Sequence, residues 1–333
     1  MDGFKVALVG LSGQVMPDWV SERMANAGID FVAKDCTTRQ ELARVAGDAD
    51  VVWIFGDSPI MCAENLQVLE RCGGIIRSGS GTDKVPVAEA SERGIVVANT
   101  PAAVEESVSD QAIGLLLAIT RQIVTRDRAV RQGKWEPNLP ALVWHLQGQT
   151  LGLIGFGHIA QAVARKMSGF EVKILVYDPY VAAEMLINYS AKAVAFDELL
   201  TQSDFVSLHC PLTKETYRLI SERELRLMKP NAILINTSRG AVVDEPALLT
   251  ALREGWISAA GLDVVDPEPP DPDNPLFQLE NVVVTPHIGG FSDYSMQRTW
   301  ELSVETAIDL AQGRWPRSVV NPLVKPRWTL VEQ

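Results

Sequence analysis

The chain has 333 residues, 47% of them hydrophobic, and a formal net charge of −12 at pH 7. This length favours two domains, and the acidic charge argues against nucleic acid as a partner. No apolar run reaches transmembrane length and no signal-peptide pattern opens the chain, so we expect no membrane association. Cys36, Cys62, Cys72 and Cys210 show neither disulfide nor metal-ligand spacing. We therefore expect reduced thiols, no metal site and a cytoplasmic protein.

The first hundred residues alternate between short apolar runs and helical patterns. They predict strands at 5–9, 31–33, 51–55, 74–76 and 95–98, and helices at 17–27, 39–46, 63–71 and 85–93. Repeated βα units are typical of a doubly wound parallel sheet. The first unit has no phosphate-type glycine loop, so we expect no dinucleotide in this domain. The polar, glycine-rich loop 77–83 follows a strand, where such sheets bind ligands; a plain surface turn is the alternative.

Asn99-Thr100-Pro101 interrupts this alternation and predicts a domain crossing. We predict one long helix from Ala102 to Arg131. Its middle, residues 112–119, is apolar nearly all round, which is typical of a helix buried on all sides. A second subunit or packing within the chain would each provide this burial.

Residues 150–178, TLGLIGFGHIAQAVARKMSGFEVKILVYD, have the pattern of a strand, a tight turn, a helix and a second strand. Gly155, Gly157 and Ala160 form a G-x-G-x-x-A spacing that allows the turn, the approach of a pyrophosphate and close helix packing. The helix start favours an anion, and Asp178 can accept hydrogen bonds from ribose hydroxyls. No Arg nearby would meet a 2′-phosphate, so we predict NAD, with NADP less favoured; a βαβ turn without ligand is the alternative.

After this unit the alternation of strands and helices resumes. We predict strands at 204–209, 232–236, 258–265 and 281–285, and helices at 221–228, 245–254 and 293–312. Ser221 with Glu224 is the pattern of a capping box, and Asp244 is the expected cap of the next helix. The last helix has no strand of its own, and we expect it to return to the first domain.

Polar side chains collect where successive strands of the second half end, namely Arg239, Asp263 with Glu268, and His287. Such strand ends share one crevice in an open parallel sheet. Hydride transfer at a carbonyl carbon requires a proton at the oxygen, which His287 would donate or accept. Glu268 would orient His287 and raise its pKa, Arg239 would grip a substrate carboxylate, and Asp263 would accept from the nicotinamide carboxamide. Taken alone, Arg239 or Glu268 could be a solvated surface charge.

At these residues the sequence resembles the D-isomer-specific 2-hydroxyacid dehydrogenase family, which includes phosphoglycerate, glycerate and hydroxypyruvate or glyoxylate dehydrogenases and reductases. The matching stretches are RSGSGTD at 77–83, NTP at 99–101, LGLIGFGHIA at 151–160, VSLHCPLTKET at 206–216, INTSRGAVVDEPAL at 235–248, GLDVVDPEP at 261–269 and TPHIGG at 285–290. Together they cover nearly the whole chain. Two departures are Ala160, in place of the usual third glycine, and His158, where an Arg is common.

The resemblance implies an oxidoreductase that interconverts a small D-2-hydroxy acid and its 2-keto acid with NAD, with Arg239, Glu268 and His287 as the catalytic trio. It also implies cofactor contacts at Ser80, Gly155, Phe156, Gly157, His158, Ile159, Asp178, His209, Cys210, Pro211, Thr216, Thr237, Ser238, Arg239, Asp263, His287, Gly289 and Gly290. The substrate carboxylate would meet Ser78 and Gly79 through their backbone, besides Arg239, and His287 would meet the reacting oxygen.

The implied fold is α/β with two doubly wound parallel-sheet domains. A Rossmann NAD-binding domain, residues 102–290, is inserted in a flavodoxin-like substrate domain, residues 1–101 and 291–333. The resemblance further implies a homodimer through the NAD-binding domain. The alternative hypothesis is an NAD(H)-sensing, non-enzymatic interaction protein like the corepressors built on this fold. The loops 53–59 and 77–80 carry no clear specificity signature, so the particular acid is not predicted.

Overall fold

The computed structural model describes residues 3–11, 13–56, 58–135 and 144–332. The chain divides into two compact units: unit 1 comprises Met1–Val104 and Ser292–Gln333, and unit 2 comprises Glu105–Phe291. The boundaries expected from the sequence lay after residues 101 and 290. Position 57 of the loop 53–59 lies outside the described residues.

All strands of the described residues belong to parallel sheets. They are β1 (Lys5–Gly10), β2 (Asp30–Ala33), β3 (Val51–Phe55), β4 (Gly74–Ser78), β5 (Val96–Asn99), β6 (Thr150–Ile154), β7 (Lys173–Tyr177), β8 (Ala191–Ala193), β9 (Phe205–Leu208), β10 (Ile233–Asn236), β11 (Ala259–Leu262) and β12 (Val282–Val284).

The α-helices of the same residues lie between and after these strands. They are α1 (Asp18–Asn26), α2 (Arg39–Ala46), α3 (Val87–Glu92), α4 (Glu105–Thr120), α5 (Ile123–Arg131), α6 (His158–Met167), α7 (Ala183–Ile187), α8 (Phe196–Gln202), α9 (Glu222–Leu227), α10 (Glu245–Glu254) and α11 (Asp293–Ala311). None of the helices described here is both long and apolar enough to cross a lipid bilayer.

Unit 1 contains a five-stranded sheet in the order β2-β1-β3-β4-β5, which is the flavodoxin-like order. Successive residues of β1 are buried on opposite faces: Ala7 packs in one apolar cluster and Leu8 in the other. Helix α11 covers the second face through Trp300 and Val304. The helix expected at 63–71 is instead a 3₁₀ helix at Ala63–Val68, a tighter form that suits a short connector.

Unit 2 contains a seven-stranded sheet in the order β12-β11-β10-β9-β6-β7-β8. The strand order reverses between β6 and β9, which is the switch point of a Rossmann fold. Apolar clusters fill both faces, one around Leu234 and Leu248, the other around Leu153 and Val163. The predicted fold class, with two doubly wound parallel sheets, is confirmed. The short edge strand β8 carried no clear sequence signal.

The single helix expected from Ala102 to Arg131 is wrong, because the chain forms α4 and α5 with a break between them. Gln122 adopts a left-handed backbone with φ of 55° at this break. The Thr120 hydroxyl bonds the Leu116 carbonyl, and the Thr120 carbonyl accepts from the Trp144 amide at 3.0 Å. One long-range hydrogen bond, from Trp144, thus accompanies the break, where the sequence has neither glycine nor proline.

The apolar middle of α4 is buried on one side only within this chain. Ala112, Leu115 and Leu116 pack in the core, whereas Ile113 is half-buried and Gly114 is exposed. The described residues of this chain therefore do not provide the expected burial of α4 on all sides.

The predicted helix caps in unit 2 are confirmed. Ser221 and Glu224 form the capping box of α9. The Asp244 side chain accepts from the Ala247 amide at the start of α10. These short-range hydrogen bonds satisfy amides that have no partner inside their helix.

Candidate functional site

The glycine turn after β6 is fixed by a close backbone approach. Gly155 has φ of 84°, a conformation that favours glycine. A Cβ atom there would lie 2.8 Å from the Cys210 amide nitrogen and 2.9 Å from the His209 carbonyl oxygen. The turn can therefore rest on the end of β9 only if residue 155 is glycine.

Helix α6 begins directly after this turn, and the space beside its N-cap residue is open. Gly157 is its N-cap and supplies no side-chain hydrogen bond, and a Cβ built there would meet no described atom within 4 Å. The amides of His158, Ile159 and Ala160 have no acceptor inside the helix. Ala160 itself is fully buried against the sheet. This open helix start suits the pyrophosphate of a dinucleotide.

Asp178 stands at the end of β7 beside the same turn. One of its carboxylate oxygens accepts from the Phe156 amide at 2.7 Å, and the other accepts from the Tyr180 amide at 2.8 Å. A carboxylate has about four acceptor positions, so two remain for ribose hydroxyls. The predicted position of Asp178 at the turn is thus matched by its hydrogen bonds.

The loop after β9 begins with side chains that are neutral at pH 7. Burial lowers the pKa of His209 to about 4, and its Nε2 atom lies 2.8 Å from the Ser207 hydroxyl. Burial raises the pKa of the Cys210 thiol to about 11, so this thiol stays protonated at neutral pH. Thr216 donates its hydroxyl to the Pro211 carbonyl at 2.6 Å and so shapes the turn. An uncharged wall of this kind suits an adenosine or ribose better than a charged group.

The end of β10 contains an orphaned polar atom. Thr237 is buried, and among the described residues its Oγ1 atom has no hydrogen-bond partner. Ser238, in contrast, donates both its amide and its hydroxyl to Asn236 Oδ1. Because buried hydroxyls are normally satisfied, Thr237 fits a site completed by a polar ligand such as the dinucleotide.

Arg239 lies in the loop after β10, and this loop packs against the loop after β11. A Cβ on Gly240 would lie 2.0 Å from the Val265 carbonyl oxygen, so only glycine permits this backbone contact. One guanidinium nitrogen of Arg239 donates to the Ser238 carbonyl at 2.7 Å. Its positive charge acts on the pKa of both Glu268 and His287. The three predicted catalytic side chains thus come together in unit 2.

His287 and Glu268 form a close pair. His287 Nδ1 lies 2.7 Å from Glu268 Oε2, with the two side chains 41% and 36% exposed. Glu268 Oε1 also accepts from the Val265 amide at 3.2 Å. The hydrogen bond to Glu268 raises the pKa of His287 despite the opposing effect of burial. Burial works to raise the pKa of Glu268, but the hydrogen bond and charge of His287 outweigh it and lower that pKa.

The segment 285–290, here called the histidine loop, is held by Asp263. The Asp263 carboxylate accepts from Thr285 Oγ1 and from the amides of Ile288 and Gly289. The Asp263 side chain is almost fully buried. These three hydrogen bonds leave about one acceptor position. The Asp263 carboxylate can therefore accept one more hydrogen bond, as its expected contact with a carboxamide requires. Gly290, another expected cofactor contact, is the last residue of the same loop.

The predicted substrate residues of unit 1 are engaged by neighbours in that unit. The Ser78 hydroxyl accepts from Trp53 Nε1 at 2.8 Å and lies 2.8 Å from the Ser303 hydroxyl. Gly79, with φ of 112°, donates its amide to Thr100 Oγ1 at 2.7 Å. A carboxylate at the Gly79 amide would have to displace Thr100, so this contact stays a prediction. Ser80, half-buried, accepts at its carbonyl from Asn99 Nδ2.

Sequence reasoning missed three side chains that support the site. Glu245 accepts from the Asp266 amide and from Asn274, and so anchors the loop that carries Glu268. Gln111 and Thr285 extend the hydrogen bonds of Asp263. Glu245 and Thr285 lie in stretches that carry the family resemblance, but no role was expected of either, and Gln111 lies in none of those stretches. Only the fold brings them to the site.

The chain is similar to known proteins in sequence and in fold. The family model for the D-isomer specific 2-hydroxyacid dehydrogenase, NAD binding domain, matches residues 113–289. A glyoxylate reductase of Thermococcus litoralis is 47% identical over 249 residues, which are 72% of this chain and 74% of the relative.

Solved structures extend the likeness over both units. A glyoxylate reductase from Paecilomyes thermophila has a TM-score of 0.88 at 28% identity and covers 96% of this chain and 99% of its own. A D-lactate dehydrogenase from Aquifex aeolicus, complexed with NAD and lactic acid, has a TM-score of 0.83 at 28% identity and covers 92% of this chain and 96% of its own.

Proposed function

We propose, because the chain belongs to the D-isomer specific 2-hydroxyacid dehydrogenase family, that His287 is its general acid and base. The protein is an NAD-dependent oxidoreductase with its NAD-binding domain in residues 113–289. The observation that carries the proposal is the 2.7 Å pair of His287 and Glu268 beside Arg239 at neighbouring strand ends.

The residues around the glycine turn are proposed to hold the dinucleotide. The open start of α6 would bind the pyrophosphate, Asp178 the adenine ribose, and Thr237 a polar group nearer the nicotinamide. When bound, the nicotinamide supplies or accepts a hydride. The carboxylate of Asp178 disfavours a 2′-phosphate, so we propose a preference for NAD over NADP.

His287 would move the proton that hydride transfer requires. In reduction it gives a proton from Nε2 to the carbonyl oxygen, and in oxidation it takes the proton back. Glu268 Oε2 accepts a hydrogen bond from His287 Nδ1, which fixes the ring orientation and stabilises the protonated form. Because the imidazole is partly exposed, its other nitrogen, Nε2, would be accessible to a small acid.

Arg239 would bind the substrate through its carboxylate. A guanidinium and a carboxylate can form two parallel charge-assisted hydrogen bonds, which fix the acid in one orientation. The same positive charge would polarise the neighbouring carbonyl oxygen and so assist hydride addition. We infer a small 2-keto acid as substrate, and glyoxylate is the first to test because of the similar glyoxylate reductases.

We also propose a homodimer formed through unit 2. The outer side of α4 is incompletely covered, with Gly114 exposed. On α5 the large apolar side chains of Ile123 and Val130 are 54% and 49% exposed. A second copy would remove this apolar surface from water.

The proposed reaction is tested by the oxidation of NADH with a panel of 2-keto acids. The panel contains glyoxylate, hydroxypyruvate, pyruvate, bulkier keto acids and 3-phosphohydroxypyruvate, each assayed with NADH and NADPH. We expect turnover with at least one small acid and a higher kcat/KM with NADH. Binding of NADH, seen by fluorescence, without turnover of any acid would contradict the proposed reaction.

Replacing Glu268 with Gln is expected to shift the pH dependence of catalysis to lower pH. The hydrogen bond to Glu268 raises the pKa of His287, so its loss lowers that pKa. Reduction requires protonated His287 and is lost as pH rises through this pKa; the variant should lose it at lower pH. Profiles of kcat/KM in both directions measure the shift, and Glu280→Gln, at an exposed position, is the matched control. An unchanged pH profile would show that Glu268 does not influence the proton transfer.

A further inference from the structure

A chain of three side chains joins helix α4 to the histidine loop within unit 2. Gln111 Nε2 donates to Thr285 Oγ1 at 2.8 Å. Thr285 Oγ1 donates to Asp263 Oδ1 at 2.5 Å. The Asp263 carboxylate then accepts from the Ile288 amide at 3.0 Å and from the Gly289 amide at 2.7 Å. The hydrogen bonds therefore run without interruption from a helix to the backbone next to His287.

The direction of these hydrogen bonds is fixed by their chemistry. The side-chain nitrogen of Gln111 can only donate, so the Thr285 hydroxyl oxygen must accept from it. The hydroxyl proton is then left for Asp263, which can only accept while it is ionised. Each member consequently orients the next, and Asp263 Oδ1 accepts from the Thr285 hydroxyl as well as from the Ile288 amide.

The histidine loop requires such support because of its backbone. His287 has φ of 53°, a left-handed conformation that non-glycine residues rarely adopt. Its amide donates to the Asp263 carbonyl at 2.8 Å, and the next two amides donate to the carboxylate of the same residue. Strained conformations of this kind persist when their surroundings hold them firmly.

Close packing adds a second link between Gln111 and the loop. A Cβ on Gly289 would lie 2.8 Å from Asp263 Oδ2, and 3.4 Å from Gln111 Cγ. The absence of a side chain at position 289 brings the loop backbone against both residues. The methylene groups of Gln111 thus lie where a side chain at position 289 would have to pack, and its amide bonds the Thr285 hydroxyl.

We propose that Gln111 and Thr285 are positioning residues for His287 and act through Asp263. This proposal rests on the proposed role of His287 as acid and base. Neither side chain has a hydrogen bond to the imidazole among those of the described residues. Their effect is to keep the Asp263 carboxylate in the one orientation that meets both loop amides, and so to keep His287 at hydrogen-bond distance from Glu268.

The charges around His287 make its titration a sensitive measure of its position. Glu268 raises its pKa mainly by the hydrogen bond and also by charge, Arg239 lowers it, and the charge of Asp263 raises it. A displaced imidazole loses the hydrogen bond first. Loss of positioning should therefore lower the pKa of His287 even in the protein without cofactor.

The test compares Thr285→Val, which removes the hydroxyl at similar size, with Thr285→Ser, which retains it. Gln111→Met removes the first donor of the series of hydrogen bonds, the side-chain amide that bonds Thr285. The imidazole Cε1–H signals of the cofactor-free full chain are titrated by NMR, and His287→Asn assigns the His287 signal among the four histidines. Turnover with the best keto acid, NADH affinity by fluorescence and Tm are measured in parallel.

We expect Thr285→Val and Gln111→Met to lower the pKa of His287 and to reduce kcat/KM by about 10-fold, the range of a hydrogen bond to a charged group. Thr285→Ser should retain the wild-type titration and rate, and NADH affinity should change little. A wild-type titration of His287 in both Thr285→Val and Gln111→Met overturns the proposal. If His287→Asn itself retains turnover, the proposed function fails, and a lowered pKa in Thr285→Val still supports the positioning.

Discussion

Replacing His287 with Asn is expected to lower kcat by about 10²–10⁴-fold in both directions, the usual contribution of a general acid and base. Asn is the suitable replacement because His287 has φ of 53°, and Asn tolerates this left-handed backbone better than Ala. The amide side chain cannot exchange a proton at neutral pH. The pH dependence assigned to His287 should therefore disappear together with most of the rate.

Single-turnover rates and NADH titrations separate this effect from cofactor binding. NADH affinity should change far less than kcat, since the turn around Gly155 and Asp178 is unaltered. His145→Asn, at an exposed histidine in the loop before β6, is the matched control and should retain full activity. A kcat within a factor of about three of wild type, at any pH, would exclude His287 as the proton donor.

Replacing Arg239 with Met is expected to reduce kcat/KM for the keto acid by at least about 100-fold. Each hydrogen bond between charged groups contributes about 1.5–3 kcal/mol, and a bidentate pair loses two of them. Arg239→Lys keeps the charge without the planar fork and should lie between Met and wild type. The Met variant should also raise the pKa of His287, because the positive charge of Arg239 lowers it.

A substrate analogue in which an amide replaces the carboxylate identifies the interaction. The wild-type protein should use it poorly, and Arg239→Met should reduce its kcat/KM far less than that of the acid. Arg253→Met, at an exposed position on α10, is the control for loss of a surface charge. Equal losses for acid and amide would show that Arg239 does not bind the carboxylate.

Features that depend on nearby residues were predictable from the sequence. The capping box of Ser221 and Glu224, the Asp244 cap and the strand–turn–helix around Gly155 all involve partners a few residues apart or a fixed spacing. The periodicity of apolar residues similarly predicted two parallel sheets, because strands buried on both faces read as continuous apolar runs. Arg239, Glu268 and His287 were predictable because each follows a strand of one sheet.

Features that depend on distant partners were not predictable. The break between α4 and α5 at Gln122 involves the Trp144 amide, and the sequence there contains no helix-breaking residue. The Gly79 amide is occupied by Thr100, 21 positions away. Gln111 and Thr285 lie 174 positions apart and meet only in the folded unit. In each case a single hydrogen bond between remote positions decides the local geometry.

The division of the chain has a consequence for how such enzymes can diversify. Arg239, Glu268, His287 and the glycine turn all lie within the uninterrupted segment Glu105–Phe291. A recombination event with crossovers near residues 104 and 291 would thus transfer all of these residues together, on one segment of the gene. The flanking segments that build unit 1 could then vary among lineages while the hydrogen bond between Glu268 and His287 is inherited intact.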